Sequence, residues 1–258
     1  MAPTQRYLVD RLWPEPSADL EIDDALADFA LPPAPADRPL VGVNMITTID
    51  GRAQLKGTAE GLGGRADRRL MRLYRTAYDA VGSGAGTLRA VGFWPGVPDD
   101  LAAVRSERGL PPQPTSVVIG GRSPLPADVK WTGDGARILI VGAGNPQEPL
   151  PGVALLVAPT PEPDPRWVLD RLAERGIGSL LLEGGPTTNA AFLTIDAIDE
   201  LYWSIGPKLV GTDALPMIAP IAGGSPFAEH PREGRLVTVL RHEDELYLRY
   251  RFTAGYAQ

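Results

Sequence analysis

The sequence predicts an α/β fold: a central, mostly parallel sheet with helices on both faces, ending in antiparallel strands. Three observations point there. After Pro39, apolar runs of strand length alternate with helical patterns, which is how a chain of strand-helix-strand units reads. These runs are apolar at successive positions, as strands covered on both sides are. Near the C-terminus, the strand-like segments 236–240 and 246–252 flank the polar turn His242-Glu243-Asp244, a hairpin signal.

Before Pro39, the residues Pro14, Pro16, Pro32, Pro33 and Pro35 interrupt any long element, because proline lacks a backbone donor and clashes inside a helix. Residues 1–38 are therefore expected as a proline-rich N-terminal extension with one short amphipathic helix over 20–29. Residues 39–258 are expected as a single domain. Its strands are expected at 40–47, 80–83, 116–120, 138–141, 153–157, 180–182 and 201–205, followed by the hairpin. Helices are expected at 65–77, 166–175 and 188–195. In the first, Arg65, Arg68, Arg69 and Arg72 form one stripe, and Ala66, Leu70, Leu73, Tyr74 and Ala77 form the opposite face. The arginine stripe reads as mostly solvated. Asp67 falls off it and leans towards Leu70, Met71 and Tyr74, where a carboxylate calls for a partner or a ligand. Favourable placement in the first helical turn accounts for Asp67 equally well.

Composition removes whole classes of chemistry. The 258 residues include no cysteine and only two histidines, His230 and His242. Disulfides, thiolate nucleophiles, iron-sulfur clusters and cysteine-containing or three-histidine zinc sites are excluded. Both histidines read as surface residues, and no metal site is expected. The formal charge of -7 argues against nucleic-acid binding, which needs a basic surface. The N-terminus lacks the basic start and unbroken apolar stretch of a signal peptide, and no window approaches the roughly 20 apolar residues that span a bilayer, so a cytoplasmic location without membrane contact is expected.

The chemistry concentrates in glycine-rich turns. In Leu182-Glu183-Gly184-Gly185-Pro186-Thr187-Thr188-Asn189 a buried strand ends at a carboxylate, two glycines turn the chain, and a proline opens a helix. The free N–H groups and positive end of such a helix suit a phosphate, and glycines let the backbone approach it. Gly82-Ser83-Gly84-Ala85-Gly86-Thr87 follows a second strand and offers a second cradle, with the Thr87 hydroxyl as donor. Gly120-Gly121-Arg122-Ser123 follows a third, where Arg122 and Ser123 suit an adenosine 2′-phosphate. Plain structural turns explain each segment alone. In Asn44-Met45-Ile46-Thr47-Thr48-Ile49-Asp50-Gly51, Asn44 and Thr48 are expected to face a pocket, while Asp50 and Gly51 fix a turn.

Taken together, these segments resemble a known family. Thr48-Ile49-Asp50-Gly51 is similar to the Ser-x-Asp-Gly motif of the riboflavin-pathway pyrimidine reductases, the reductase half of a bifunctional deaminase-reductase. Gly84-Ala85-Gly86-Thr87 and Glu183-Gly184-Gly185-Pro186-Thr187 match its two other signatures, in order. The similarity runs from about Pro39 to Phe252. It implies a dihydrofolate-reductase-like fold, NADPH as hydride donor, a homodimer and a small pyrimidine or pterin-like substrate. By that resemblance Thr47, Gly82, Gly84, Thr87, Arg122, Ser123 and residues Gly184, Gly185, Pro186, Thr187, Thr188 and Asn189 lie against the coenzyme. Asn44, Thr48 and Arg75 contact substrate, Asp67 and Glu183 act in catalysis, and the Gly184–Gly185 bond is cis.

Two departures stand out. Leu88-Arg89-Ala90-Val91-Gly92-Phe93-Trp94-Pro95 replaces the Asp-Asp-Pro and following segment that holds the ribose phosphate in the family, and Asn44 replaces a first-strand lysine. Without cysteine, a zinc deaminase half is excluded. The expected activity is hydride transfer to a carbon-nitrogen double bond. Dihydrofolate-reductase-type activity and non-catalytic NADPH binding are the alternatives.

Overall fold

The structure is a computed structural model that describes residues 6–211 and 213–252. Its strands are β1 (Leu8–Trp13), β2 (Ser17–Glu21), β3 (Leu40–Thr48), β4 (Ala80–Gly84), β5 (Thr115–Ile119), β6 (Arg137–Val141), β7 (Val153–Val157), β8 (Ser179–Leu182), β9 (Glu200–Gly206), β10 (Arg235–His242) and β11 (Glu245–Arg251). Its helices are α1 (Ile22–Ala25), α2 (Arg65–Arg75), α3 (Ala85–Val91), α4 (Asp99–Glu107), α5 (Pro165–Ala173) and α6 (Pro186–Thr194). The strands form one sheet in the order β2-β1-β10-β11-β9-β3-β8-β4-β5-β6-β7. From β9 to β7 every pairing is parallel. From β2 to β9 every pairing is antiparallel. The mixed sheet and its C-terminal hairpin are as expected.

Alternation along β3 sorts the core into two faces. Leu40 packs with Leu70, Tyr74, Tyr78, Leu101, Leu181 and Tyr202 under α2 and α4. Val41 and Val43 pack with Leu169, Leu172, Leu180, Leu182 and Phe192 under α5 and α6. The first face has a close approach at Gly42, where an added Cβ would stand 2.1 Å from Tyr78 Oη. Only glycine leaves room for Tyr78 and Tyr202 to bond hydroxyl to hydroxyl at 3.0 Å.

Three expectations need correction. The helix over 20–29 is a single turn, α1, because residues 17–21 pair with β1 instead. Strand β1 in turn pairs with β10, and Val9, Ile22 and Phe29 are buried in the core under α2. Pro14 and Pro16 lie between the two strands, where they punctuate the chain without removing a ladder bond. The arginine stripe is not simply solvated. Arg69 bridges Asp23 and Asp100 with its side chain 11% exposed, and Arg72 lies over the Trp94 ring. Helices α3 and α4 were not expected. The signal for α4 was Pro98-Asp99-Asp100, acidic residues at a helix start. No helix is long and apolar enough to cross a membrane among the described residues.

Candidate active site

The carboxyl ends of β3, β8 and β4 lie side by side, the usual place for ligands in an open α/β sheet. Strand β4 enters α3 through Gly84, and β8 enters α6 through Gly184-Gly185. The two turns are bonded to each other, Glu183 N donating to Gly82 O at 2.8 Å and Gly84 N to Gly184 O at 3.2 Å. An added Cβ at Gly84 would stand 2.6 Å from Thr188 Oγ1, and one at Gly185 would stand 3.5 Å from Thr87 Oγ1. Both threonine hydroxyls therefore border the glycine pair. The expected cis bond between Gly184 and Gly185 is absent. The turn is made by left-handed backbone at both residues, φ 104° and 71°, which glycine adopts without steric cost.

This cradle fits a nucleotide coenzyme. Gly84 and Gly185 cap α3 and α6 with no side-chain hydrogen bond, so the first N–H groups of both helices remain available for phosphate. Ser83 Oγ and Asn189 Oδ1 are buried without partners among the described residues, as expected where a ligand completes the bonding. Asn189 also donates to Met217 O at 3.1 Å, tying α6 to the following loop. The Gly120 turn adjoins the start of α3, since a Cβ at Gly120 would stand 3.1 Å from Ala85 Cβ. From that turn Arg122 and Ser123 are exposed.

On the α2 face, Glu183 and Arg75 form a bidentate pair at 2.7 and 2.5 Å, with side chains 6% and 3% exposed. Arg75 Nη1 also donates to Trp94 O at 3.1 Å and to Gly96 O at 2.7 Å. The segment that departs from the family is thus anchored to Glu183 through Arg75. An ionised carboxylate oxygen has two lone pairs, so each Glu183 oxygen keeps one for another donor.

Asp67 lies on the same face. An added Cβ at Gly63 would stand 2.7 Å from its Oδ2. Burial pushes its carboxyl up to about 6, helped by the charges of Glu245 and Glu183 and opposed by the Ser204 hydrogen bond and Arg68. Asn44 neighbours Tyr202 on β9, and Leu182 pairs with Val43 beside it, so Asn44 and Glu183 share one face at the ends of β3 and β8.

The structure places Thr47 and Thr48 otherwise. Both are fully buried. Thr47 Oγ1 donates to Thr48 O at 2.9 Å and accepts from Trp203 Nε1 at 2.8 Å. Thr48 Oγ1 donates to Asp50 at 2.5 Å and accepts from Arg52 N at 3.0 Å. Their hydroxyls hold the turn. Asp50 also accepts from Gly211 N at 2.7 Å, and the Thr48 hydroxyl and Gly211 amide hold its carboxyl down at about 2. Sequence reasoning missed Ser204, Glu245 and Tyr247. A polar Ser204 at an inward position of β9, whose burial alternates along its length, was the available signal.

Comparison with known proteins agrees with this geometry. Residues 39–226 match the model of the RibD C-terminal domain. The chain is 30% identical over 181 residues to the 2,5-diamino-6-ribosylamino-4(3H)-pyrimidinone 5′-phosphate reductase of Methanothermobacter thermautotrophicus, covering 67% of this chain and 80% of that protein. It is 30% identical over 168 residues to the riboflavin biosynthesis protein RibD of Mycobacterium tuberculosis, covering 64% of this chain and 41% of the relative. Among solved structures, a pyrimidine reductase-like protein from Corynebacterium diphtheriae superposes with a TM-score of 0.69 at 22% identity, over 85% of this chain and 94% of that one. A Thermotoga maritima deaminase and 5-amino-6-(5-phosphoribosylamino)uracil reductase gives 0.67 at 22% identity, over 84% and 57%. These structures share the fold.

Proposed function

The chain belongs to the RibD C-terminal domain family, and from that premise we propose that it is an NADPH-dependent reductase of the riboflavin-pathway pyrimidine type. Its substrate is a ribosylaminopyrimidine phosphate or a close relative, and it works as a homodimer in the cytoplasm. The observation that carries this reading is the placing of two carboxyl groups beside a glycine cradle: Glu183 in a bidentate pair with Arg75, and Asp67 pushed towards neutrality by burial.

When bound, NADPH supplies a hydride for the carbon of a carbon-nitrogen double bond. Residues Gly84, Thr87, Gly184, Gly185, Thr187 and Thr188 would hold its phosphates with backbone N–H groups and hydroxyls, Pro186 would pack against it without donating, and Arg122 with Ser123 would hold the adenosine end. Glu183 accepts from the amino-pyrimidine edge with its remaining lone pairs, and Asn44 borders the ring. Asp67 gives a proton to the substrate nitrogen and is refilled from water. A group of this kind works while it holds its proton, so turnover falls as pH rises through about 6.

The replaced ribose-phosphate segment favours a second reading, dihydrofolate-reductase-type activity on the same cradle. Coenzyme absorbance at 340 nm, followed with the ribosylaminopyrimidinone phosphate and with dihydrofolate in parallel, separates the two. Oxidation with the first alone is the expected result. Oxidation with neither leaves coenzyme binding without catalysis and overturns the proposal.

A further inference from the structure

The antiparallel end of the sheet packs against the side of the molecule that carries Asp67. Strand β11 pairs with β9 so that Tyr247 sits opposite Ser204, the residue bonded to Asp67. Tyr247 is buried among the residues under α2. Glu245, two residues before Tyr247, projects from the same face of the strand. Tyr247 Oη donates to Glu245 Oε2 at 2.7 Å. Burial, reinforced by Glu245 and then Asp67, pushes the Tyr247 hydroxyl well above its usual range, so it remains a donor and its partner an acceptor.

Consecutive glycines make room for both carboxyls. An added Cβ at Gly63 would stand 2.7 Å from Asp67 Oδ2, and one at Gly64 would stand 3.2 Å from Glu245 Oε1. Two carboxyl groups packed on adjacent residues in a partly buried site do not both ionise without cost. Asp67, buried beside the Glu245 and Glu183 carboxylates, is the one whose proton is held more tightly.

We propose that Glu245, reaching the cleft from the last strand, is a positioning residue that keeps a proton on Asp67 for transfer to the substrate nitrogen. The destination of that proton rests on the reductase reading. The hydride adds to the carbon of the double bond, the proton on Asp67 goes to its nitrogen, and the Asp67 carboxylate regains a proton from solvent. The other groups facing Asp67 are Ser204 on β9, Glu183 with its partner Arg75, Tyr74 and Arg68 on α2, and Tyr247. Arg68 and the Ser204 hydroxyl favour the ionised form, so the negative charge on Glu245 acts against them.

The test is Glu245→Gln, which keeps the shape and removes the charge. Carbon-13 NMR of the Asp67 carboxyl, assigned by its loss in Asp67→Asn, reads the protonation midpoint without coenzyme. The midpoint is expected to move acidward by about one unit, and turnover above pH 7 to fall about tenfold, with turnover at low pH within about twofold of wild type. Glu245→Asp restores the charge and is expected to bring the midpoint most of the way back. An unchanged midpoint in Glu245→Gln overturns the proposal, as does loss of turnover at every pH without a shift. A shifted midpoint in Glu245→Gln, beside a wild type that reduces no pyrimidine, supports the carboxyl coupling and overturns the reductase reading instead.

Discussion

Arg75 is almost wholly buried and spends its guanidinium on Glu183 and on two carbonyls of the 94–96 segment. Removing one partner of such a pair strands the other charge, a loss that ordinarily costs about 3–5 kcal/mol. Arg75→Ala is expected to show a loss of that order in urea unfolding. Asp67 presents the opposite case. Its folded carboxyl binds protons more tightly than the unfolded one, whose value is 3.8. The folded state therefore holds the extra proton, and stability is lost as pH rises from about 4 to about 6. Asp67→Asn should recover roughly 2–3 kcal/mol of stability at pH 8, read by thermal or urea melts, while turnover falls about 100-fold or more. Melts that rise together with undiminished turnover would remove Asp67 from the chemistry. Asp67 and Glu183 stood out in the sequence because carboxylates at the edge of apolar stretches need a reason. The surroundings of Asp67 did not, because Ser204, Glu245 and Tyr247 arrive from strands more than 130 residues further along the chain.

At the scale of elements, α2 was legible because its apolar face keeps the helical period, β3 to β6 and β8 because their apolar runs end in glycine-containing turns, and β7 because its run ends at prolines. The N-terminal strands were not legible. A segment such as Leu8–Trp13 alternates weakly, and the prolines beside it read as breakers when they only mark a turn. The hydroxyls of Thr47 and Thr48 are used in their own turn, a use the sequence does not separate from a ligand contact, since a hydroxyl at a strand end suits either. The α6 turn carries a sharper expectation. Gly185 has φ 71° and lies against Thr188, with a Cβ position 3.3 Å from its hydroxyl. Gly185→Ala is expected to weaken NADPH binding at least tenfold in a fluorescence titration, while the melting temperature moves by only a few degrees because the left-handed strain is about 1–2 kcal/mol. Undiminished NADPH affinity would detach the cradle from the coenzyme.

For the whole molecule, one sheet ties the first residues to the last. Val9, Ile22 and Phe29 enter the same buried cluster as Tyr74, Tyr202 and Tyr247, and Arg249 lies over the Phe29 ring while donating to Ala30 O at 2.9 Å. Deleting residues 1–21 removes two strands, exposes the edge of β10 and takes Val9 from the core. A lower melting temperature and concentration-dependent association, seen by light scattering, are the expected outcomes. An unchanged melt would show that the segment adds area without stability.

The order of the strands keeps the glycine turns apart from the last strand. The cradle of β4, β8 and their glycine turns lies within residues 39–226, the part that matches the family model. Strands β10 and β11 lie beyond it, yet they bring Glu245 to the carboxyl at the centre of the cleft. The parallel part of the sheet, which carries the glycine turns, and the antiparallel part, which carries Glu245, thus meet at β9. A change in β10 or β11 can therefore alter the surroundings of Asp67 without touching the glycine turns that follow β4 and β8.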